Sequence, residues 1–263
     1  MQILFFGDIY GSAGRTALKK VLPDKIAKYQ PDFVIANCEN MSHGRGAIAK
    51  HIDEIRQSGV DAFTSGNHVF NYTEGIATVA DPRLPIVRPA NYPAGAPGRT
   101  HLILEKNNKR LFLANLMGRV FMGDPLDNPF AAANALLKEA KEHDITCTFF
   151  DFHAEATSEK AALGNYLDGK ASAVVGTHTH VQTADDRVLR NGTAFISDVG
   201  FCGPLDSIIG AKKELALSRF LTGISAKIEP EDDPPYVVSG VAITLDDETG
   251  KAERIERIYE TVQ

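Results

Sequence analysis

Five short apolar runs each end in side chains that can ligate a metal ion. Ile3-Leu4-Phe5-Phe6 is followed by Gly7-Asp8, and Phe33-Val34-Ile35-Ala36 by Asn37-Cys38-Glu39-Asn40. Ala62-Phe63-Thr64 leads into Ser65-Gly66-Asn67-His68, Thr148-Phe149-Phe150 into Asp151-Phe152-His153, and Ala173-Val174-Val175 into Gly176-Thr177-His178-Thr179-His180. Taken singly, each has an ordinary explanation. Asp8 after a strand reads as a helix N-cap, Glu39-Asn40 as loop polarity, Asn67 as a turn residue, and His153 equally well as a core histidine. The His178-Thr179-His180 pair is evenly balanced between metal binding and structural hydrogen bonding. Repetition at five strand ends is what capping does not explain. Three imidazoles, two carboxylates and two amides are too many donors for one tetrahedral ion, and they suit two ions sharing a bridging carboxylate. Two such ions roughly 3.5–4 Å apart can hold a hydroxide nucleophile and neutralise a phosphate. In an extended segment the rings of His178 and His180 face one side and serve one ion or one each. His68, directly after Asn67, is set apart as the donor of a proton to a leaving oxygen. Arg45 in the His43-Gly44-Arg45-Gly46 loop and Arg119 after Leu116-Met117-Gly118 are candidate phosphate contacts.

The elements that would position these groups follow from the hydrophobic pattern. Strands are expected at 3–6, 33–36 and 62–64, with helices at 13–29 and 47–57 between them. That β-α-β-α-β order points to parallel pairing with helical crossovers. Residues 102–105 and 111–114 flank a polar turn and read as a hairpin. A helix is expected from Pro129 to about His143, with Asn128 as its N-cap. A strand at 146–152, a helix at 158–167 and a strand at 173–175 follow. Beyond them the pattern becomes mostly β: a hairpin at Asn191-Gly192, strands 237–245 and 252–259 paired across 246–251, and a surface loop at 230–235. If the five runs are neighbouring strands, their carboxyl ends meet on one edge, where ligands bind in open α/β sheets.

Composition sets the outer limits. The chain has 263 residues, 28 Lys plus Arg against 34 Asp plus Glu, and a formal charge of −6. A chain of this length reads as one α/β domain over 1–263. The acidic balance argues against stable duplex nucleic-acid binding, which depends on clustered Lys and Arg. It leaves room for a small phosphodiester substrate. Cys38, Cys147 and Cys202 are far apart and odd in number, so buried thiols in a reducing cytoplasm are expected rather than a disulfide framework. No signal peptide and no membrane span is expected. Phe121-Met122 and Phe201 look exposed and hint at a homo-oligomer.

As a set, Gly7-Asp8, Asn37-Cys38-Glu39-Asn40, Gly66-Asn67-His68 and Gly176 to His180 resemble the calcineurin-like metallophosphoesterase superfamily. More narrowly, 151–160, 176–185, Arg88-Pro89-Ala90-Asn91 and Asp198-Val199-Gly200 resemble the YmdB-like cyclic-nucleotide phosphodiesterases. The resemblance implies a four-layer α-β-β-α sandwich of two mixed sheets flanked by helices. It implies a di-iron or similar centre, with Asp8, Asn40 and His180 around one ion, Asn67, His153 and His178 around the other, and Glu39 bridging. It makes His68 the proton donor in hydrolysis of 2′,3′-cyclic or 3′,5′-cyclic nucleotides by a metal-bridging hydroxide. Three positions depart from the wider superfamily: Tyr10 stands where Asp-x-His has its imidazole, Glu39 where the bridging residue is Asp, and Val69 where an acid follows Asn-His. Oxygen and imidazole donors suit Fe, Mn and Zn alike. A phosphomonoesterase or nucleotidase with the same centre is the nearest alternative. A metal-containing signalling or RNA-associated binding protein is the alternative from another class. A metal-dependent amidohydrolase fits less well, because its H-x-H pair follows the first strand of a barrel.

Overall fold

A computed structural model describes residues 1–224, 227 and 229–263. In chain order the strands are β1 (Gln2–Phe6), β2 (Asp8–Ile9), β3 (Phe33–Asn37), β4 (Ala62–Thr64), β5 (His101–Lys106), β6 (Lys109–Met117), β7 (Thr148–His153), β8 (Ala173–Thr177), β9 (Arg187–Val188), β10 (Ala194–Ile196), β11 (Phe201–Pro204), β12 (Tyr236–Leu245) and β13 (Ala252–Val262). The helices are α1 (Gly11–Tyr29), α2 (Ala49–Arg56), α3 (Thr73–Ala80), α4 (Pro129–Glu142), α5 (Thr157–Leu167) and α6 (Lys213–Thr222). One sheet has seven strands in the order β2-β11-β12-β1-β3-β4, with β13 also paired to β12; the other has six, β5-β6-β7-β8-β10-β9. Both are mixed. β1, β3 and β4 run parallel, while β12 is antiparallel to β1. β6, β7 and β8 run parallel, while β5 is antiparallel to β6.

Strand alternation explains why both sheets read as unbroken apolar runs. In β1, Ile3 and Phe5 face the other sheet and join Phe149, Val175 and Ile196, whereas Leu4 and Phe6 pack with Leu18, Val21 and Leu22 of α1. In the second sheet Phe149 points inward, and Phe150 and Phe152 pack with Leu136 of α4 and Leu163 of α5. Strands buried on both faces need no polar alternation. The result is helix, sheet, sheet, helix, as the resemblance implied. Asn128 caps α4 as expected, its Oδ1 accepting from the Phe130 amide at 2.9 Å.

The five runs are divided between the two sheets. β1, β3 and β4 lie in the seven-stranded sheet, and β7 and β8 in the six-stranded one. Their ends meet across the gap between two face-to-face sheets. The last third is mostly β as expected, with one helix, α6, that was not expected. Its sequence, Lys-Glu-Leu-Ala-Leu-Ser-Arg-Phe-Leu-Thr, leaves Leu217, Phe220 and Leu221 exposed, so it lacks a clean buried stripe to signal a helix. Short β2 and β11, and α3, were likewise too brief or too weakly patterned to expect. Among the described residues no helix is long and apolar enough to cross a membrane.

Candidate metal centre

Side chains from both sheets converge where the parallel strands end. Asp8 opens β2, Glu39 and Asn40 follow β3, Asn67 and His68 follow β4, His153 ends β7, and His178 and His180 follow β8. Asp8 caps no helix: the residue before α1 is Tyr10. Glu39, His153 and His178 each place a donor atom within 4.8 Å of the others. Around His153 Nε2 lie Asn67 Oδ1 at 3.0 Å, His178 Nδ1 at 3.0 Å and Glu39 Oε1 at 3.6 Å. Gly66 makes this approach possible, since a Cβ there would stand 2.4 Å from His153 Nε2.

Each imidazole has one nitrogen occupied by a neighbour and the other aimed inward. His153 Nδ1 is 2.9 Å from Thr177 Oγ1, whose own hydroxyl donates to Asp151 Oδ1 at 2.7 Å. His178 Nε2 is 3.1 Å from Glu155 Oε2. His180 Nδ1 donates to the Ile209 carbonyl at 2.8 Å. Such outer partners fix which nitrogen keeps its lone pair for a ligand.

These residues fit a cation on three observations. Asp8 Oδ1 is buried without a hydrogen-bond partner among the described residues. Asn40 Nδ2 donates to the Gly44 carbonyl at 3.0 Å, which turns Oδ1 toward His180 Nε2, also at 3.0 Å. With His180 Nδ1–H committed to Ile209, two lone pairs face each other there. Burial holds the His180 ring below the usual histidine range, so a proton is a poor bridge and a cation a good one.

The electrostatics carry the same imprint. Burial pushes the Asp8 carboxyl up to about 8, against the pull of His153. Burial would also raise Glu39, but His153 and His68 hold it well below the usual carboxylate range. Burial would depress His153, and Glu39 and Asp8 instead raise it to about 9. His178, buried beside His153, falls to about 3. Near neutral pH these shifts leave Asp8 protonated and set the charged Glu39 against the His153 imidazolium.

His68 is oriented by Glu39, although Val69 supplies no acid. Glu39 Oε1 meets His68 Nδ1 at 2.8 Å and Oε2 accepts the His68 backbone N–H at 2.9 Å. The ring's other nitrogen is left for the cavity that His68 lines. This cavity, about 430 Å³, runs from Glu39, Asn40, His178 and His180 to α6. Arg45 lines it; Arg119 does not, sitting exposed after β6 with its backbone N–H on Glu159 at 3.0 Å. Arg219 and the exposed His43, neither given a role by sequence, also line it.

Two expectations about the rings are corrected. Residues 178–180 are not extended: His178 has φ 105° and His180 φ 65°, so His178 faces His153 while His180 faces Asn40. Phe201 is buried rather than exposed, stacked on His180 with centroids 5.1 Å apart. Tyr10, in place of an imidazole, meets His180 edge-on.

Sequence reasoning missed the polar layer below the donors. Asp151 is fully buried and accepts from Thr177, from Asn37 Nδ2 at 2.8 Å and from the Thr64 hydroxyl. Asp198, paired with buried Lys160 at 2.7 Å, accepts the Thr179 N–H at 3.0 Å and so pins the loop between His178 and His180. Thr177 directly precedes His178 and Asp151 lies two residues before His153, which was the available signal. Nothing local linked Lys160 to Asp198.

The four-layer fold that brings this donor set to one edge is shared with the NAD nucleotidase NadN of Haemophilus influenzae, which superposes with a TM-score of 0.61 at 15% identity, covering 100% of this chain and 56% of that one. The chain matches the family model described as YmdB-like protein over residues 4–258, and it belongs to that family. It is 49% identical over 259 residues to a 2′,3′-cyclic-nucleotide 2′-phosphodiesterase of Bacillus subtilis (strain 168), covering 98% of this chain and 96% of that one. A solved hypothetical protein from Thermus thermophilus superposes with a TM-score of 0.92 at 40% identity, covering 99% of both chains. A novel phosphatase from Mycoplasma pneumoniae does so with a TM-score of 0.90 at 35% identity, covering 99% of this chain and 93% of that one.

Proposed function

We propose that this protein is a metal-dependent phosphodiesterase that hydrolyses cyclic nucleotides, with 2′,3′-cyclic nucleotides first and 3′,5′-cyclic nucleotides second. The observation that carries the reading is the set of three imidazoles, each with one nitrogen tied off and the other turned toward Glu39, Asn40 or Asn67, beside an open cavity. The name of the Bacillus relative supports the substrate class. Asp8, Asn40 and His180 would hold one ion, and Asn67, His153 and His178 the other, with Glu39 between them. Iron is the first choice of metal, with Mn and Zn as alternatives. When bound, such ions neutralise phosphate charge and lower the pKa of water enough to supply a nucleophile near neutral pH.

The chain's own groups do the rest. Arg45 lines the cavity and offers a planar fork to phosphate oxygens. His68, held through Nδ1 by Glu39, presents its second nitrogen to the substrate and gives a proton to the departing ribose oxygen. Donation through a fixed ring keeps the proton on the leaving-group side. Three free, buried cysteines suit work in a reducing cytoplasm.

Elemental analysis of protein as isolated, followed by a cyclic-nucleotide panel on the same sample, tests the reading. Two metal equivalents and turnover of a cyclic nucleotide are expected. Metal-loaded protein that turns over neither a cyclic nucleotide nor bis-p-nitrophenyl phosphate would refute it. Comparing mono- and diester rates separates it from a nucleotidase.

A further inference from the structure

The cavity has two unlike walls. One carries Glu39, Asn40, His178 and His180 of the donor set together with His68; the other is largely apolar, built from Ile209, Ala216, Phe220 and Pro230. Phe220 lines the cavity from α6 yet is 79% exposed, so packing among the described residues leaves its ring largely uncovered. Arg219, its neighbour on the same helix, also lines the cavity, and among the described residues no carboxylate lies within 4.0 Å of it. A phosphate alone would have no use for such a wall. A flat apolar face with one unpaired planar cation beside it suits a nucleobase, which stacks on its faces and accepts hydrogen bonds at its edge.

The wall is also tied to the donor set. Ile209 has a left-handed backbone, φ 49°, and its carbonyl accepts the Nδ1 proton of His180. The Ile209 segment therefore stands at a fixed distance from the centre, where a substrate's phosphate would lie. Gly210 follows at φ 103°, and a Cβ there would meet the Tyr10 ring at 2.7 Å. That contact holds the segment against the floor of the cavity.

From this geometry we infer that Phe220 and Arg219 of α6, with Ile209, form a nucleobase subsite, so that the protein selects nucleoside phosphates over phosphates lacking a base. The inference rests on the phosphodiesterase reading for its substrate class, but its test does not need turnover. Calorimetric Kd values for adenosine 3′-monophosphate and for methyl riboside 3′-monophosphate are measured on the metal-containing protein as isolated and on Phe220→Ala and Phe220→Tyr. Base–aromatic stacking predicts a preference of about tenfold for the nucleotide. Phe220→Tyr should keep that preference and Phe220→Ala should lose it. Equal Kd values in the unaltered protein, or a preference that survives in Phe220→Ala, overturn the subsite. Failure of the phosphodiesterase reading would show separately, as absent turnover in the cyclic-nucleotide panel.

Discussion

Replacing Thr177 with Val tests whether the buried hydroxyl positions His153. Val keeps the shape and opens no cavity, so the change isolates the hydroxyl's hydrogen bonds, two short ones with Asp151 and His153 and a long one accepted from Asn37 Nδ2 at 3.4 Å. Thr177 Oγ1 gives its proton to Asp151 Oδ1 at 2.7 Å and receives that of His153 Nδ1 at 2.9 Å, and all three residues are fully buried. Without the hydroxyl, Asp151 keeps Asn37 and Thr64 as partners, while His153 Nδ1–H loses the acceptor that fixes its tautomer. Hydrogen bonds to charged groups contribute about 1.5–3 kcal/mol, and an orphaned buried group costs about 1–3 kcal/mol. With two of the three Asp151 bonds retained, a net loss of about 2–4 kcal/mol is expected. That lowers Tm by roughly 5–10 °C for a chain of this size. Removing the outer partner of a ligating imidazole also weakens metal binding by about 10–100-fold. Chelator competition with elemental analysis reads the second effect and thermal denaturation the first. Thr177→Ser keeps the hydroxyl and should restore both. Thr177→Val protein that holds its metal as tightly as the parent would refute the positioning role of the hydroxyl.

Lys160→Met should destabilise the fold by about 3–5 kcal/mol in urea titrations, because it leaves the Asp198 carboxylate buried beside a lost partner at 2.7 Å; an unchanged midpoint would contradict this. His51 is held down to about 4 by burial, with Arg15 adding to the effect. Below the unfolded value of about 6.5 the unfolded chain takes up a proton that the folded chain refuses, so this contribution to stability falls between about pH 6.5 and 4. His51→Gln should flatten that part of the urea-midpoint profile, and an identical slope in the variant would rule the cause out. His68→Gln should lower kcat on cyclic nucleotides by about 10²–10⁴-fold, far less on p-nitrophenyl esters, whose leaving group needs no proton. Equal losses on both substrates would exclude proton donation by His68.

Much of the fold was legible because its signals are local. Strands β1, β3 and β4 are unbroken apolar runs, Asn128-Pro129 is a helix start, and Asn191-Gly192 joins β9 to β10 in an antiparallel pair. Periodicity does not say which sheet a strand joins, so the division of the five runs between two sheets came from the family resemblance and not from the pattern. α6 was hidden because its apolar residues face outward and so do not mark a buried stripe. The candidate donors were legible as residue types at strand ends. Their arrangement was not, because it depends on left-handed backbone at His178 and His180 and on acceptors distant in sequence, such as the Ile209 carbonyl.

The two substitutions at Glu39 and Val69 become one physical statement once the geometry is known. A carboxylate that must orient His68 and also face the donor set needs reach in two directions. Glu39 contacts the His68 backbone and ring with its two oxygens while Oε1 stays 3.6 Å from His153 Nε2. A shorter Asp at this position would have to give up one of these contacts. With the orienting acid supplied from the end of β3, the position after His68 is free to be apolar, and Val69 is buried in the core cluster beneath α2 and α3. An acid there would lose hydration without gaining a partner. Glu39→Asp together with Val69→Asp therefore does not restore an equivalent site. The pair should lose His68 orientation and core stability together, and the single Glu39→Asp change should lose the first without the second.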